Sequence, residues 1–156
     1  MASRTYVVPM YRCTLVKERT TIRLPIEYGK VGSFEQVAKA LHYLTDDSPT
    51  ELMVLFFLDG NNNLVGAEII AKGGMHGCAV RCCDVLRSAL ISGASAFVVG
   101  HNHPSGNPMP SSEDIIMTVN LTGAAESIGM PFLDHVIVSR GQPAMSVFTL
   151  IGEKGS

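Results

Sequence analysis

Apolar and polar positions fall into two regimes along this chain. Two stretches are unbroken apolar runs, LMVLFFL at 52–58 and AFVVG at 96–100. Runs of that length bounded by turn residues predict strands buried on both faces, so the second, SAFVVGHNH at 95–103, is placed centrally in a sheet. The first continues through an Asp-Gly-Asn-Asn-Asn turn into NLVGAEIIA, which predicts a β-hairpin over 51–71. Three other segments carry apolar residues at helical spacing. GSFEQVAKALHYLTDD predicts a helix capped by Ser33, with Gln36 three residues on and Val37, Leu41 and Leu44 on one face. VRCCDVLRSALISG predicts a second helix, ended by Gly93, and SSEDIIMTVNLTGAAESIG a third, running from a Ser cap to Gly129. FLDHVIVS and AMSVFTLI read as two closing strands, and TYVVPMYRCTLVK at 5–17 as an extended edge segment interrupted by Pro9. Interleaved helices and strands predict an α/β fold: one domain, with a mixed sheet sandwiched by helices.

Composition narrows the class without naming a function. The chain has 156 residues, 46% hydrophobic and 17% charged, enough for one real core. No apolar run approaches the length of a membrane span, and the start, Met-Ala-Ser-Arg, has no apolar signal region. Cys13, Cys78, Cys82 and Cys83 form no CxxC pair, so the cysteines read as reduced thiols of a cytoplasmic protein. A net charge of −2 gives no general nucleic-acid footprint. Residues 1–30 do carry Arg4, Arg12, Lys17, Arg19, Arg23 and Lys30 against Glu18 and Glu27. That excess reads as a charge-protected edge strand in preference to a face for an acidic partner.

The unusual chemistry sits in HNHPSGNPMPSSED, residues 101–114. It starts at the end of the predicted central strand and finishes in the first turn of a helix. Strand alternation points His101 and His103 to one face, roughly 6.5–7 Å apart, and Asn102 to the other, so Asn102 is not read as a ligand. Pro104, Pro108 and Pro110 stiffen the connecting loop, and Gly106 permits its sharp turn. Asp114 then arrives where it can reach back to the strand end. Two imidazoles and a carboxylate make a three-ligand N/O set, which leaves a fourth zinc position for water, the catalytic arrangement. The plainer reading is a helix capping box, with Ser111 as cap and Asp114 at the third position. Metal-assisted hydrolysis also needs a proton carrier. Glu51, at the entry to an apolar strand, is the first candidate, and Glu68 in the partner strand a weaker one.

This stretch closely resembles the JAMM (MPN+) metalloprotease motif: H-x-H-P, six residues, then S-x-x-D, with a glutamate far upstream. GHNHPSG, PSSED and LDHVIVS resemble the RadC-like members more narrowly, and the similarity covers about residues 50–150. The resemblance implies a JAMM/MPN, cytidine-deaminase-like fold over 31–156, with residues 1–30 as a strand-rich arm packed on it. It implies one Zn2+ per chain held by His101, His103 and Asp114. It implies Glu51 as the residue that activates water, and Ser111 as support for the oxyanion.

Two departures bear on function. Longer RadC-like proteins carry an N-terminal helical segment resembling DNA-binding helix-hairpin-helix modules, for which this chain has the short arm. The usual HPRE before the central helix is here Ala79–Cys82, and only Arg81 matches. His135 follows the family pattern and reads as a residue bonded behind a metal ligand, as a pocket-lining histidine or, at least as well, as a structural one, while His42 and His76 match nothing. Three readings compete: a zinc hydrolase of peptide or isopeptide bonds with a zinc-bound water, a non-catalytic MPN-type binding module, and an accessory protein of DNA repair or recombination. The intact Glu51, His101, His103 and Asp114 favour the first. The balanced charge gives the third little support. The letters HNH do not mark an HNH nuclease, and a (β/α)₈ amidohydrolase barrel needs about 250 residues. The substrate, the partners and the oligomeric state are not written in the sequence.

Overall fold

Two strands with every residue buried organise the molecule: β1 (Leu52–Leu58) and β3 (Ala96–Asn102). The computed structural model describes residues 12, 16, 23–25, 33–73 and 80–154. Within them the elements run α1 (Phe34–Thr45), β1, β2 (Leu64–Lys72), α2 (Cys82–Ser92), β3, α3 (Ser112–Ser127), β4 (Phe132–Val138), β5 (Met145–Ser146) and α4 (Val147–Lys154). The five strands form one mixed sheet in the order β2-β1-β3-β4-β5. Only β3 and β4 are parallel; the other neighbours are antiparallel. A parallel pair needs a long crossover, and α3 supplies it.

Strand alternation divides the apolar residues between two layers. Val54, Phe56, Leu58, Val98, Val136 and Val138 pack on Val37, Ala40 and Leu41 of α1. Met53, Leu55, Phe57, Phe97 and Val99 pack on Val85 and Ala89 of α2 and on Leu121 and Ala125 of α3. This is the predicted helix-flanked mixed sheet. The approach of α1 is closest at Gly100, where a Cβ would stand 2.7 Å from Leu41 Cδ2.

The predicted hairpin forms, with β1 and β2 paired from Leu52↔Lys72 to Leu58↔Leu64. Its turn is organised by the Asp59 carboxylate, which accepts from the backbone N–H groups of Asn61 and Asn63 at 2.8 Å each. Ser33 does occupy the N-cap of α1, but its side chain caps no backbone N–H and bonds the Glu35 carboxylate. The last segment corrects the sequence reading. AMSVFTLI is not a strand: two residues pair with β4, and the chain then turns into α4. The β-branched and aromatic residues suggest a strand, but Ser146 Oγ accepts from Thr149 N at 3.1 Å and starts a helix. Val147 is then fully buried and Phe148 meets the edge of Phe132. Tertiary burial decides against local propensity here.

The extended segment 5–17 and the arm over 1–30 lie largely outside the described residues, as do His76, Cys13 and Cys78. Leu24 packs against the α1 layer. Cys82 and Cys83 are free thiols. Among the described residues no helix is long and apolar enough to cross a membrane.

Candidate metal centre

His101 and His103 leave the carboxyl end of β3 on the α3 side of the sheet, the face shared by Phe97 and Val99. Their Nε2 atoms stand 2.8 Å apart. Asp114 Oδ1 lies 3.3 Å from His101 Nε2, and Oδ2 lies 3.5 Å from His103 Nε2. One ligand atom from each of the three residues falls within 4.8 Å of the others. Bonds of about 2.0–2.1 Å to one tetrahedral ion place ligand atoms about 3.3 Å from one another. The three separations bracket that value, and two imidazole nitrogens with one carboxylate suit a divalent transition ion. His103 Nδ1 donates to the carbonyl of Asn107 at 2.8 Å, so the lone pair of its neutral ring lies on Nε2 and faces the centre.

The intervening loop holds the geometry that its prolines and glycine predict. Gly106 takes a φ of +90°, and its N–H bonds His103 O. Asn107 Oδ1 accepts from Met109 N at 3.0 Å. At the helix end Asp114 has two tasks. It completes a reciprocal capping box, accepting from Ser111 N at 2.8 Å while Ser111 Oγ accepts from Asp114 N at 3.1 Å, and it presents its carboxylate to both histidines. The capping-box reading and the ligand reading are therefore compatible.

Charge is concentrated here. Burial alone would raise the Asp114 pKa, but the adjoining rings of His101 and His103 and the Ser111 hydroxyl hold it far below the usual carboxylate range. Burial likewise opposes protonation of His103, yet the Asp114 carboxylate, the Asn107 carbonyl and the charge of Glu51 together raise its pKa. Glu51 thus acts on the same point from the position just before β1. It lines a cleft of about 550 Å³ with His101, His103, Ser111 and Asp114. Glu68 is exposed on β2 and does not line that cleft. His42 pairs with Asp46 at the end of α1, at 3.7 Å.

Three residues contribute more than their sequence suggested. Asn102 points away from the centre, as alternation requires, but it is not idle. Its Oδ1 accepts from Leu52 N at 2.8 Å and its Nδ2 donates to Thr50 O at 3.2 Å, so it grips the backbone on both sides of Glu51. His135 is fully buried, and its Nε2 lies 2.8 Å from His101 Nδ1. Thr118 stands behind it, with Oγ1 2.6 Å from His135 Nδ1. The signal for His135 was its type: a histidine in an otherwise apolar strand has to be hydrogen-bonded. Thr118 gave only its spacing, one helical turn beyond Asp114.

Comparison with known proteins bears on the fold. A family profile described as "RadC-like JAB domain" matches residues 31–152. A UPF0758 protein of Carboxydothermus hydrogenoformans is 37% identical over 108 residues, 69% of this chain and 48% of the relative. UPF0758 proteins of Methanococcoides burtonii and Rhodobacter capsulatus are 34% and 36% identical, each over 72% of this chain and over 49% and 52% of their own lengths. The chain spans about half the length of these curated relatives.

Proposed function

From the premise that this chain belongs to the RadC-like JAB domain family, we propose that it is a zinc-dependent hydrolase of peptide or isopeptide bonds. One observation carries the reading: His101 Nε2, His103 Nε2 and an Asp114 oxygen converge at the floor of a cleft that Glu51 and Ser111 also line. His101, His103 and Asp114 would hold the ion. Zinc, when bound, supplies Lewis acidity and brings the pKa of water near 7. Glu51 then takes the proton of the attacking water and delivers it to the leaving nitrogen, while the water oxygen bonds the carbonyl carbon and the C–N bond breaks. Asn102 keeps Glu51 at its station through the two flanking peptide groups. Ser111 Oγ donates at 2.6 Å to Asp114 Oδ2. Its rotor can turn that proton to a developing oxyanion while the oxygen continues to cap α3.

The test is cleavage of a mixed peptide library by zinc-loaded protein, read by mass spectrometry. Wild type should release new termini, and Glu51→Gln should bind zinc equally and cleave about 10²–10⁴-fold more slowly. Cleavage by Glu51→Gln at the wild-type rate would remove Glu51 from the mechanism. Cleavage unaffected by loss of His103 would remove the metal.

A further inference from the structure

Proton positions behind the metal centre can be solved from one end of a hydrogen-bond chain. Thr118 Oγ1 lies 2.6 Å from the backbone oxygen of Asp114. A carbonyl has no proton, so the hydroxyl donates, and it has only one proton to give. At its other contact Oγ1 therefore accepts, and His135 Nδ1 carries the hydrogen. His135 is fully buried. Its ring nitrogens meet the Thr118 hydroxyl and the His101 ring, neither of them an anion, so a protonated ring would be buried without a counter-charge and the ring is neutral. A neutral imidazole with hydrogen on Nδ1 has its lone pair on Nε2. That nitrogen faces His101 Nδ1 at 2.8 Å and must accept from it. His101 is thereby the Nδ1–H tautomer, with a bare Nε2 directed at Asp114 and His103.

We propose that Thr118 and His135 are positioning residues that fix His101 in the tautomer whose Nε2 can bind a metal. The inference rests on the metal-centre reading above. The relay ends on the backbone of Asp114, whose side chain is itself a proposed ligand, so one residue anchors the first histidine and completes the set. His103 also carries a hydrogen on Nδ1, which it donates to the Asn107 carbonyl. A ligating histidine is commonly oriented by an acceptor on its other nitrogen, and losing such a partner typically costs 10–100-fold in metal affinity. Here that acceptor is a second, neutral histidine, which works only because the Thr118 hydroxyl is already directed to a carbonyl. Valine at 118 would keep the shape and remove the acceptor.

The experiment uses the full chain with ¹⁵N-labelled histidine, stripped of metal, at mildly alkaline pH. Long-range ¹H–¹⁵N correlation spectra read each ring's tautomer, and competition with a chromogenic chelator reads zinc affinity. Wild type should show hydrogen on Nδ1 of His101, His103 and His135. Thr118→Val should mix the tautomers of His135 and His101 and weaken zinc about 10–100-fold. Thr118→Ser should restore both, which a purely packing role for Thr118 would not require. Hydrogen on His101 Nε2 in the wild type overturns the relay, and that spectrum decides even if Thr118→Val does not fold. So does Thr118→Val with wild-type tautomers and affinity. Wild-type protein that takes up no zinc overturns the metal reading instead, whatever the tautomers.

Discussion

Replacing Gly100 with alanine adds one methyl group at the tightest contact between the sheet and α1. The new Cβ would stand 2.7, 3.2 and 3.4 Å from Cδ2, Cδ1 and Cγ of Leu41. The first distance is roughly 1 Å inside the carbon–carbon optimum of about 3.5–4.0 Å. Leu41 has no exposed surface and lies among Val37, Phe56 and Val98, so it cannot swing into solvent. Overpacking of this kind costs about 1–3 kcal/mol. In a domain of this size each kcal/mol moves Tm by about 2–4 °C, so Gly100→Ala should melt about 2–12 °C lower. Leu41→Ala alone should cost about 2–5 kcal/mol through the cavity it leaves. In the double variant the added methyl occupies part of that space, so the pair should cost at least about 1 kcal/mol less than the two singles combined. Urea denaturation followed by circular dichroism measures all four proteins. A wild-type melt for Gly100→Ala, or additivity within about 0.5 kcal/mol, would refute the packing of α1 on β3 described here.

Three other perturbations follow from the site and its surroundings. Asn102→Ala leaves the buried N–H of Leu52 without its partner and should lower stability by about 1–3 kcal/mol, read from the urea midpoint, while zinc stoichiometry stays unchanged. Ser111→Ala removes the α3 cap and should cost about 0.5–2 kcal/mol in the same assay, with peptide cleavage slowed about 10²–10³-fold if its hydroxyl meets the oxyanion. Asp84 is hydrogen-bonded to Arg81 and Arg87, which hold its pKa at about 2 against an ordinary 3.8. A depressed carboxylate stabilises above its unfolded pKa and loses that contribution as pH falls through the folded one. Asp84→Asn should therefore unfold at lower urea than wild type at neutral pH, and the gap should close between about pH 4 and pH 2; a gap constant with pH would remove the ion pairs from the account.

Most of the fold was legible because its core strands and helices carry strong, long patterns. LMVLFFL and AFVVG admit few environments other than a sheet covered on both faces, and Gly93 marks its helix end. AMSVFTLI was misread because eight residues of strand-like propensity say nothing about Asp134, which holds Ser146 Oγ at 2.9 Å where α4 begins. The convergence of His101, His103 and Asp114 was legible for a local reason: strand alternation sets the two histidines on one face, and a stiff loop returns the chain to them at the first turn of α3. Glu51 was named as the candidate proton carrier, but its place beside the histidines was not legible, since its approach depends on β1 pairing with β3 in the register Met53↔His101. Asn102 was read correctly as pointing away and so set aside, although its grip on Thr50 and Leu52 is what fixes Glu51. Thr118 and His135 act through contacts across 17 residues of sequence, beyond the reach of any local pattern.

The account turns on whether the two histidines and Asp114 hold a metal ion. The direct measurement is zinc bound per chain after purification and after reconstitution, by elemental analysis, for wild type beside the His101→Ala/His103→Ala variant, with circular dichroism to establish that both are folded. The account predicts about one zinc per wild-type chain and none in the folded variant. A folded wild type that takes up no zinc, or a variant that holds as much as wild type, would contradict it.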